Sequence, residues 1–128
     1  MILLLDTSTP TCKISFIDGE NRFNDEWQSN RTLASDLLSH LDSLLKKQDK
    51  KWSDISHMGV FEGPGSFTGI RIGLTVMNTI ADAQKIPIVG CRGDNWQDEA
   101  IGKLQAGKDE KIVLPFYGSQ ANITSPIK

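Results

Sequence analysis

Two short polar segments carry the side chains that could do chemistry, and the first directly follows an apolar run. Residues 2–5 form the apolar run, and Asp6, Thr7, Ser8 and Thr9 follow it with one carboxylate and three hydroxyl groups. Backbone N–H and hydroxyl groups that converge at a strand end can hold a metal-bound phosphate. Short polar side chains also satisfy the backbone of an ordinary turn. Both interpretations stay open, and the spacing alone favours the turn.

The second segment is rich in glycine and lies between an apolar run and a helical pattern. It comprises Gly63, Pro64, Gly65, Ser66, Phe67, Thr68 and Gly69. Its three glycines permit a tight bend and a close approach of the backbone, and free N–H groups at the start of the next helix suit an anion. It is not a Walker A loop, because Ile70 and Arg71 follow the last glycine where that motif requires lysine. Anion binding and simple tight packing fit this pattern equally well.

The remaining pattern supplies the strands and helices that must position these segments. Apolar runs and loose alternation predict strands, the first three of which form an antiparallel meander joined by tight turns. We expect strands at residues 2–5, 12–18, 22–27, 55–61, 86–90 and 112–116, and helices at about 68–85 and 94–104, besides a longer helix after the meander. Three antiparallel strands followed by crossover units imply an α/β fold, with a mixed sheet and helices on its faces.

The clearest helix signal lies directly after the meander. Its aliphatic residues recur at steps of one, three and four, which places them on one wide stripe: Leu33, Ala34, Leu37, Leu38, Leu41, Leu44 and Leu45. Asn30 or Thr32 is expected to cap the N-terminus, and Lys46 and Lys47 suit the negative C-terminal end. The stripe could serve the chain's own sheet, a partner helix, or both.

Composition and charge exclude several classes of protein. With 128 residues, of which 38% are hydrophobic, the chain has room for one domain core. Fourteen Lys and Arg against sixteen Asp and Glu give a net charge of −2, which argues against a free-standing nucleic-acid binder. Cys12 and Cys91 stand far apart and form no cluster with His40 or His57, so we expect neither a zinc site nor a disulfide. No leader or membrane-spanning pattern is present, so we expect a reduced, cytoplasmic protein that does not contact a membrane.

Four segments resemble the TsaB (YeaZ) family in their order and spacing. They are residues 3–9, the leucine-rich helix, the string from Gly63 to Gly73, and residues 86–90. The string reads Gly-Pro-Gly-Ser-Phe-Thr-Gly-Ile-Arg-Ile-Gly and is highly specific for the family. The resemblance implies a single actin-like lobe of the ASKHA (RNase H-like) type over residues 1–116, with a mixed five-stranded type of sheet. It leaves residues 117–128 as an irregular tail.

The resemblance also implies a role in making threonylcarbamoyladenosine in tRNA. Subunits of this family pair with a catalytic TsaD-like transferase, and a TsaE-like ATPase joins them. The catalytic relatives carry a His-x-x-x-His metal pair that this chain lacks, which favours a pseudoenzyme scaffold without catalytic residues or a metal. We expect no cofactor bound by this chain alone, ATP or ADP only within the complex, and contact with tRNA only through the complex.

Family pairing uses the two long helices, which implies where a partner would bind. The residues expected at that interface are Leu33, Leu37, Leu41, Gly69, Gly73, Leu74, Met77 and Ile80, and ordinary core packing is the alternative for each. Gly69 and Gly73 lie four residues apart, which would allow a partner helix to approach closely. The two polar segments, together with Arg71, are the expected contacts for an anion or a nucleotide. A homodimer and a heterodimer fit such a helix surface equally well.

Two other functions stay open on the sequence alone. One is a nucleotide-binding, ATPase-like lobe that holds ATP and magnesium with Asp6, Thr7 and the glycine-rich segment, and the other is a self-associating regulatory homodimer. Family members usually have a second lobe of similar size, and residues 115–118 and 122–128 resemble the tail of longer members. We therefore expect a naturally shortened protein whose missing lobe argues for a partner.

Overall fold

Five strands form one mixed sheet in the computed structural model, which describes residues 1–117. The strands are β1 (Ile2–Asp6), β2 (Thr11–Asp18), β3 (Asn21–Gln28), β4 (His57–Phe61) and β5 (Ile88–Cys91). Their order is β3-β2-β1-β4-β5. The first three strands are antiparallel, whereas β4 and β5 run parallel to β1. The mixed α/β sheet predicted from the sequence is confirmed.

Three helices cover the two faces of this sheet. They are α1 (Leu33–Lys47), α2 (Phe67–Gln84) and α3 (Trp96–Gln105). α1 and α2 pack on one face over a core that includes Phe16, Leu37, Leu41 and Met77, and α3 packs on the other face around Trp96. The sheet is therefore buried from both sides near its centre, as the continuous apolar run of β1 requires.

The N-terminus of α1 differs from the prediction in one detail. Thr32 is the N-cap residue, but its hydroxyl donates to the carbonyl oxygen of Ser29 at 2.7 Å and accepts no helix N–H. A short 3-10 turn over Asn30–Thr32 precedes the helix, and the Thr32 hydroxyl bonds the residue that precedes this turn. The predicted cap by Thr32 is therefore wrong.

The two cysteines lie on opposite faces of the sheet. Cys12 belongs to the core beneath α1 and α2, and Cys91 belongs to the core beneath α3. Both are buried and free. The sheet itself separates them, which agrees with the expectation that they form no disulfide.

The strand predicted at residues 112–116 is wrong. Residues 109–117, here named the covering segment, run beside α2 without pairing to any strand. Val113 is buried and packs against Gly90. The side chain of Asn78 on α2 bonds both the N–H and the carbonyl oxygen of Val113, each at 2.9 Å. The segment is irregular, with bends at residues 111 and 112, and a side chain takes the place of the neighbouring strand.

Side chains also occupy the outer edge of β5, where a sixth strand would have to pair. The N–H groups of Ile88 and Gly90 donate to the carboxylates of Asp109 and Glu110 at 3.2 Å. The carbonyl oxygen of Ile88 accepts the N–H of Glu110 at 2.9 Å, and that of Gly90 accepts Lys103 Nζ at 3.0 Å. Each polar group on this edge has a partner, so no place is left for another strand.

Candidate functional site

The two polar segments meet where β1 ends and α2 begins. Thr7 is buried, and its hydroxyl donates to the carbonyl oxygen of Gly69 at 2.7 Å. The N–H of Ser66 donates to the carbonyl oxygen of Ser8 at 2.8 Å. A Cβ atom on Gly65 would collide with Ser8, and one on Gly69 with the backbone of Thr7. The glycines are therefore needed so that the two segments can touch.

Several side chains of these segments bond nearby backbone groups. Asp6 Oδ1 accepts the N–H of Ser8 at 2.8 Å, and Ser66 Oγ caps α2 by accepting the N–H of Gly69 at 3.1 Å. The hydroxyl of Thr9 donates to the carbonyl oxygen of Thr11 at 3.0 Å. This arrangement agrees with the turn and tight-packing interpretation. Binding of an anion or a nucleotide there stays a prediction.

An aromatic stack lies at the exposed start of α2. The side chain of Phe67 is 55% exposed, and the Arg71 guanidinium lies 5.1 Å from its ring centre. The Tyr117 ring also stacks on Phe67, with 4.6 Å between the centroids. Pro64 and Thr68 are also exposed beside it. The second polar segment therefore presents an apolar and cationic surface rather than a ring of hydroxyl groups.

Most residues predicted for a partner interface lie inside this chain. Seven of the eight are buried, namely Leu33, Leu37, Leu41, Gly69, Gly73, Leu74 and Met77, whereas Ile80 is half-buried. A Cβ on Gly73 would collide with the Thr7 hydroxyl, so this glycine admits β1 rather than a partner helix. The burial of these seven residues agrees with the core alternative, and their place at a partner interface stays a prediction.

The face of α1 and α2 that points away from the sheet is apolar and uncovered in residues 1–117. We name it the outer helix face, and its apolar residues are Ala34, Leu38, Phe67, Ile72, Val76 and Ile80. Its exposed large hydrophobic residue on α1, Leu38, is 54% exposed. A cavity of about 470 Å³ is lined by Ala34, Phe67, Thr68, Arg71, Ile72, Thr75 and Val76. A second cavity, of about 500 Å³, is lined by Leu38, Ser39, Asp42, Trp52, Thr79, Ile80, Ala83 and Gln84.

The sequence pattern missed most of this face because the stripe on α1 is too wide for one role. Leu37 and Leu41 are buried towards the sheet. Ala34 and Leu38 each directly follow a buried leucine in the sequence and are exposed on the outer side of the helix. The width of the stripe was the available signal, since it exceeds what one buried face requires. On α2, Ile72 and Val76 gave no such signal, because apolar residues occupy both sides of that helix.

The charged groups at the second cavity are already paired. The carboxylate of Asp42 accepts Trp52 Nε1 at 3.0 Å and lies 2.9 Å from Lys46 Nζ. The hydrogen bonds from Lys46 and then Trp52 lower the pKa of Asp42 below its ordinary value. The rim of the cavity therefore carries a charge that is neutralised within the chain, and the cavity itself is mainly apolar.

His40 and His57 lie on different elements, and each bonds a different side chain. His40 Nε2 lies 2.8 Å from Asp25 Oδ2, and its ring stacks on Trp27 with 4.3 Å between centroids. His57 Nδ1 bonds the hydroxyl of Ser56 at 2.8 Å. Within residues 1–117, no three His, Cys, Asp or Glu side chains are grouped so that they could share a metal ion. Nor does any helix in that range have the length and apolarity that a bilayer crossing requires.

Comparisons with known proteins agree with the geometry. The family model described as "TsaD: tRNA N6-adenosine threonylcarbamoyltransferase" matches residues 28–92, just over half of the chain. The chain is 36% identical over 114 residues to the tRNA threonylcarbamoyladenosine biosynthesis protein TsaB of Buchnera aphidicola subsp. Baizongia pistaciae, covering 82% of this chain and 51% of that protein. It is 30% identical over 90 residues to the protein of the same name from Escherichia coli, covering 70% and 38%.

Solved structures show the same fold. YeaZ from Pseudomonas aeruginosa superimposes with a TM-score of 0.67 at 28% identity, covering 71% of this chain and 43% of that one. A second structure, of a Pseudomonas aeruginosa protein with similarity to peptidase YeaZ, gives the same TM-score and identity. The chain spans about half, or less, of the length of the curated relatives it matches. Together with the family model and the relatives, these matches show that the chain belongs to the TsaB (YeaZ) family.

Proposed function

We propose that this chain is a non-catalytic subunit in the synthesis of tRNA threonylcarbamoyladenosine. In this proposal it pairs with a TsaD-like threonylcarbamoyl transferase, a TsaE-like ATPase joins the pair, and tRNA and nucleotide bind to the assembled complex in the cytoplasm. Its relatives carry the name of that biosynthesis. The pairing role is the part that the geometry of the described residues addresses.

The observation that carries the proposal is the outer helix face. Leu38 and Phe67 are both more than half exposed, and Ile72, Val76 and Ile80 lie partly exposed between them. Exposed large side chains that adjoin one another on two neighbouring helices mark an interaction site more often than a solvated surface. The two cavities along this face offer holes into which side chains of a partner's helices can insert.

The non-catalytic part of the proposal rests on the chemistry of the available side chains. The carboxylate of Asp6 and the hydroxyl groups of Thr7 and Ser66 bond backbone groups of the two polar segments, and each histidine is bonded to a neighbouring side chain. Catalytic groups need a nucleophile or base aimed at an open site. The polar groups at the β1–α2 junction are instead used to join the strand to the helix.

The direct test is a titration of this chain with the TsaD-like protein of the same organism, followed by calorimetry or a sizing column. We expect a stable one-to-one complex at micromolar concentration. Ala34→Asp places a charge on the wall of the first cavity and should weaken the complex at least about tenfold, because the carboxylate must lose its water when a partner covers the cavity.

Ala106→Asp is the matched control, because Ala106 is exposed at the end of α3 on the opposite face of the sheet. It should leave the affinity unchanged. The absence of a complex with the unmodified chain would refute the pairing proposal. Equal losses from both variants would refute the assignment of pairing to the outer helix face.

A further inference from the structure

The sheet has one edge that is closed and one that is open. Side chains of Lys103, Asp109 and Glu110 occupy the edge at β5, as described above. The other edge is β3, an eight-residue strand whose only strand neighbour within residues 1–117 is β2. Exposed edge strands present backbone groups that can accept another strand.

The hydrogen-bonding alternation of the β2–β3 pair identifies which groups β3 presents. Thr11 lies opposite Gln28, so the next pair along the same register is Pro10 and Ser29. The N–H of Ser29 donates to the carbonyl oxygen of Pro10 at 3.1 Å, which makes this a hydrogen-bonded pair. Antiparallel pairs alternate, so the N–H and C=O groups of Arg22, Asn24 and Glu26 point away from β2.

A second copy of β3 fits this edge in one particular register. If two β3 strands run antiparallel about a two-fold axis at Asn24, each Asn24 faces its own copy and each Arg22 faces Glu26 of the other chain. All three residues belong to the set whose N–H and C=O groups point outwards, so the backbone bonds can form in this register. Opposite charges then meet twice across the new pair, on the same face of the sheet.

The side chains at this edge are available for such a pair. Arg22, Asn24 and Glu26 are all exposed. Arg22 Nε donates to Asn24 Oδ1 at 3.3 Å, and its guanidinium also bonds Gln97. A guanidinium has five N–H donors, so these bonds leave donors for a carboxylate of another chain. Other registers of two β3 strands do not place Arg22 against Glu26 on both sides of the axis.

We propose that two copies of this chain associate through their β3 edges in this register and form one continuous ten-stranded sheet. The edge is distinct from the outer helix face, since β3 is the terminal strand and its side chains 22, 24 and 26 lie on the face away from α1. The association is therefore separate from the pairing proposed above, and the two can occur together.

A charge exchange tests the register. Sedimentation equilibrium of the intact chain should show a reversible dimer. Arg22→Glu and Glu26→Arg should each weaken it about tenfold, because each variant sets like charges opposite one another at two places. The double variant Arg22→Glu/Glu26→Arg should restore the dimer. Within one chain the two residues lie about 13 Å apart along the strand, so the restoration cannot come from a contact inside the monomer.

A cross-linking experiment supplies a second measurement. In a hydrogen-bonded antiparallel pair the Cα atoms lie about 5.5 Å apart, within the range that a disulfide spans. Asn24→Cys should therefore give a disulfide-linked dimer on oxidation, whereas Arg22→Cys alone and Glu26→Cys alone should not. A mixture of the latter two should cross-link. The native thiols are buried and give no background.

Three results would overturn the proposal: a monomer at all concentrations, a double variant that stays as weak as the single ones, or equal cross-linking at positions 22, 24 and 26. None of these results bears on the TsaD-like pairing, which is measured with Ala34→Asp.

Discussion

Asn78 binds Val113 through both polar atoms of its side-chain amide. Its Oδ1 accepts the N–H of Val113 and its Nδ2 donates to the carbonyl oxygen of the same residue, each at 2.9 Å. One side chain of α2 thereby makes the two bonds that a neighbouring strand would make. The buried valine fixes the middle of the covering segment, and Phe116 fixes its end through a 2.7 Å bond to the carbonyl oxygen of Glu62.

Replacing Asn78 by alanine should detach the covering segment. The change leaves both backbone groups of a buried residue without a partner, so we expect the free energy of unfolding to fall by about 1–3 kcal/mol. Urea denaturation measures the loss, and the Val113 amide should exchange its hydrogen faster than in the unmodified chain. Thr79→Ala is the control, since Thr79 is exposed and its hydroxyl bonds Thr75 of its own helix. Equal effects of the two substitutions would contradict the role given to Asn78.

Two glycines in helices should respond to alanine in opposite directions. A Cβ on Gly73 would collide with the side chain of Thr7, so Gly73→Ala should lower the free energy of unfolding by about 1–3 kcal/mol. No atom lies within 4 Å of a Cβ built on Gly102, so Gly102→Ala should raise it by up to about 1 kcal/mol. Thermal unfolding followed by circular dichroism separates the two. A neutral effect at Gly73 would show that β1 and α2 are not in close contact.

The buried thiol of Cys12 should make stability depend on alkaline pH. Burial, assisted by the charges of Asp6 and Asp25, raises the pKa of Cys12 from 9.0 to about 12. The folded state therefore keeps a proton that the unfolded chain releases. Its contribution to stability is complete below pH 9 and is lost as the pH rises towards 12.

Comparison with Cys12→Ala isolates this contribution from other groups that titrate in the same range. The difference in the free energy of unfolding between the two proteins should shrink as the pH rises from 9 to 12. Thiol reagents at pH 8 should leave Cys12 unmodified until the chain unfolds. A constant difference, or rapid labelling of the native protein, would show that this thiol is not buried as a neutral group.

The sequence was sufficient for the strands and helices whose patterns are long and regular. The meander and the leucine stripe of α1 predicted their elements within a few residues, because one buried face imposes a period on the side chains. The apolar run predicted β1 because that strand is buried from both sides. The predicted strand at 112–116 failed for a reason that no local pattern records. Asn78 lies far away in the sequence and takes the place of a strand, and Asp109 and Glu110 close the edge where that strand would pair.

The site was harder to predict than the fold. Periodicity shows that Leu33, Leu37 and Leu41 share a face, but not whether that face meets the chain's own sheet or another molecule. The resemblance to a family placed them at an interface, whereas the structure buries them and turns Ala34 and Leu38 outwards. The predicted tail lies mostly in residues 118–128, outside the described part of the chain.

The closed edge at β5 has a consequence for the pair proposed at β3. Each copy contributes its single receptive edge to the two-fold contact, and the merged sheet then ends on both sides in strands already bonded by Lys103, Asp109 and Glu110. Within residues 1–117 no open sheet edge remains at which a third chain could add, so assembly by strand addition is self-limiting. Raising the protein concentration should saturate at a finite particle and not lead to a polymer.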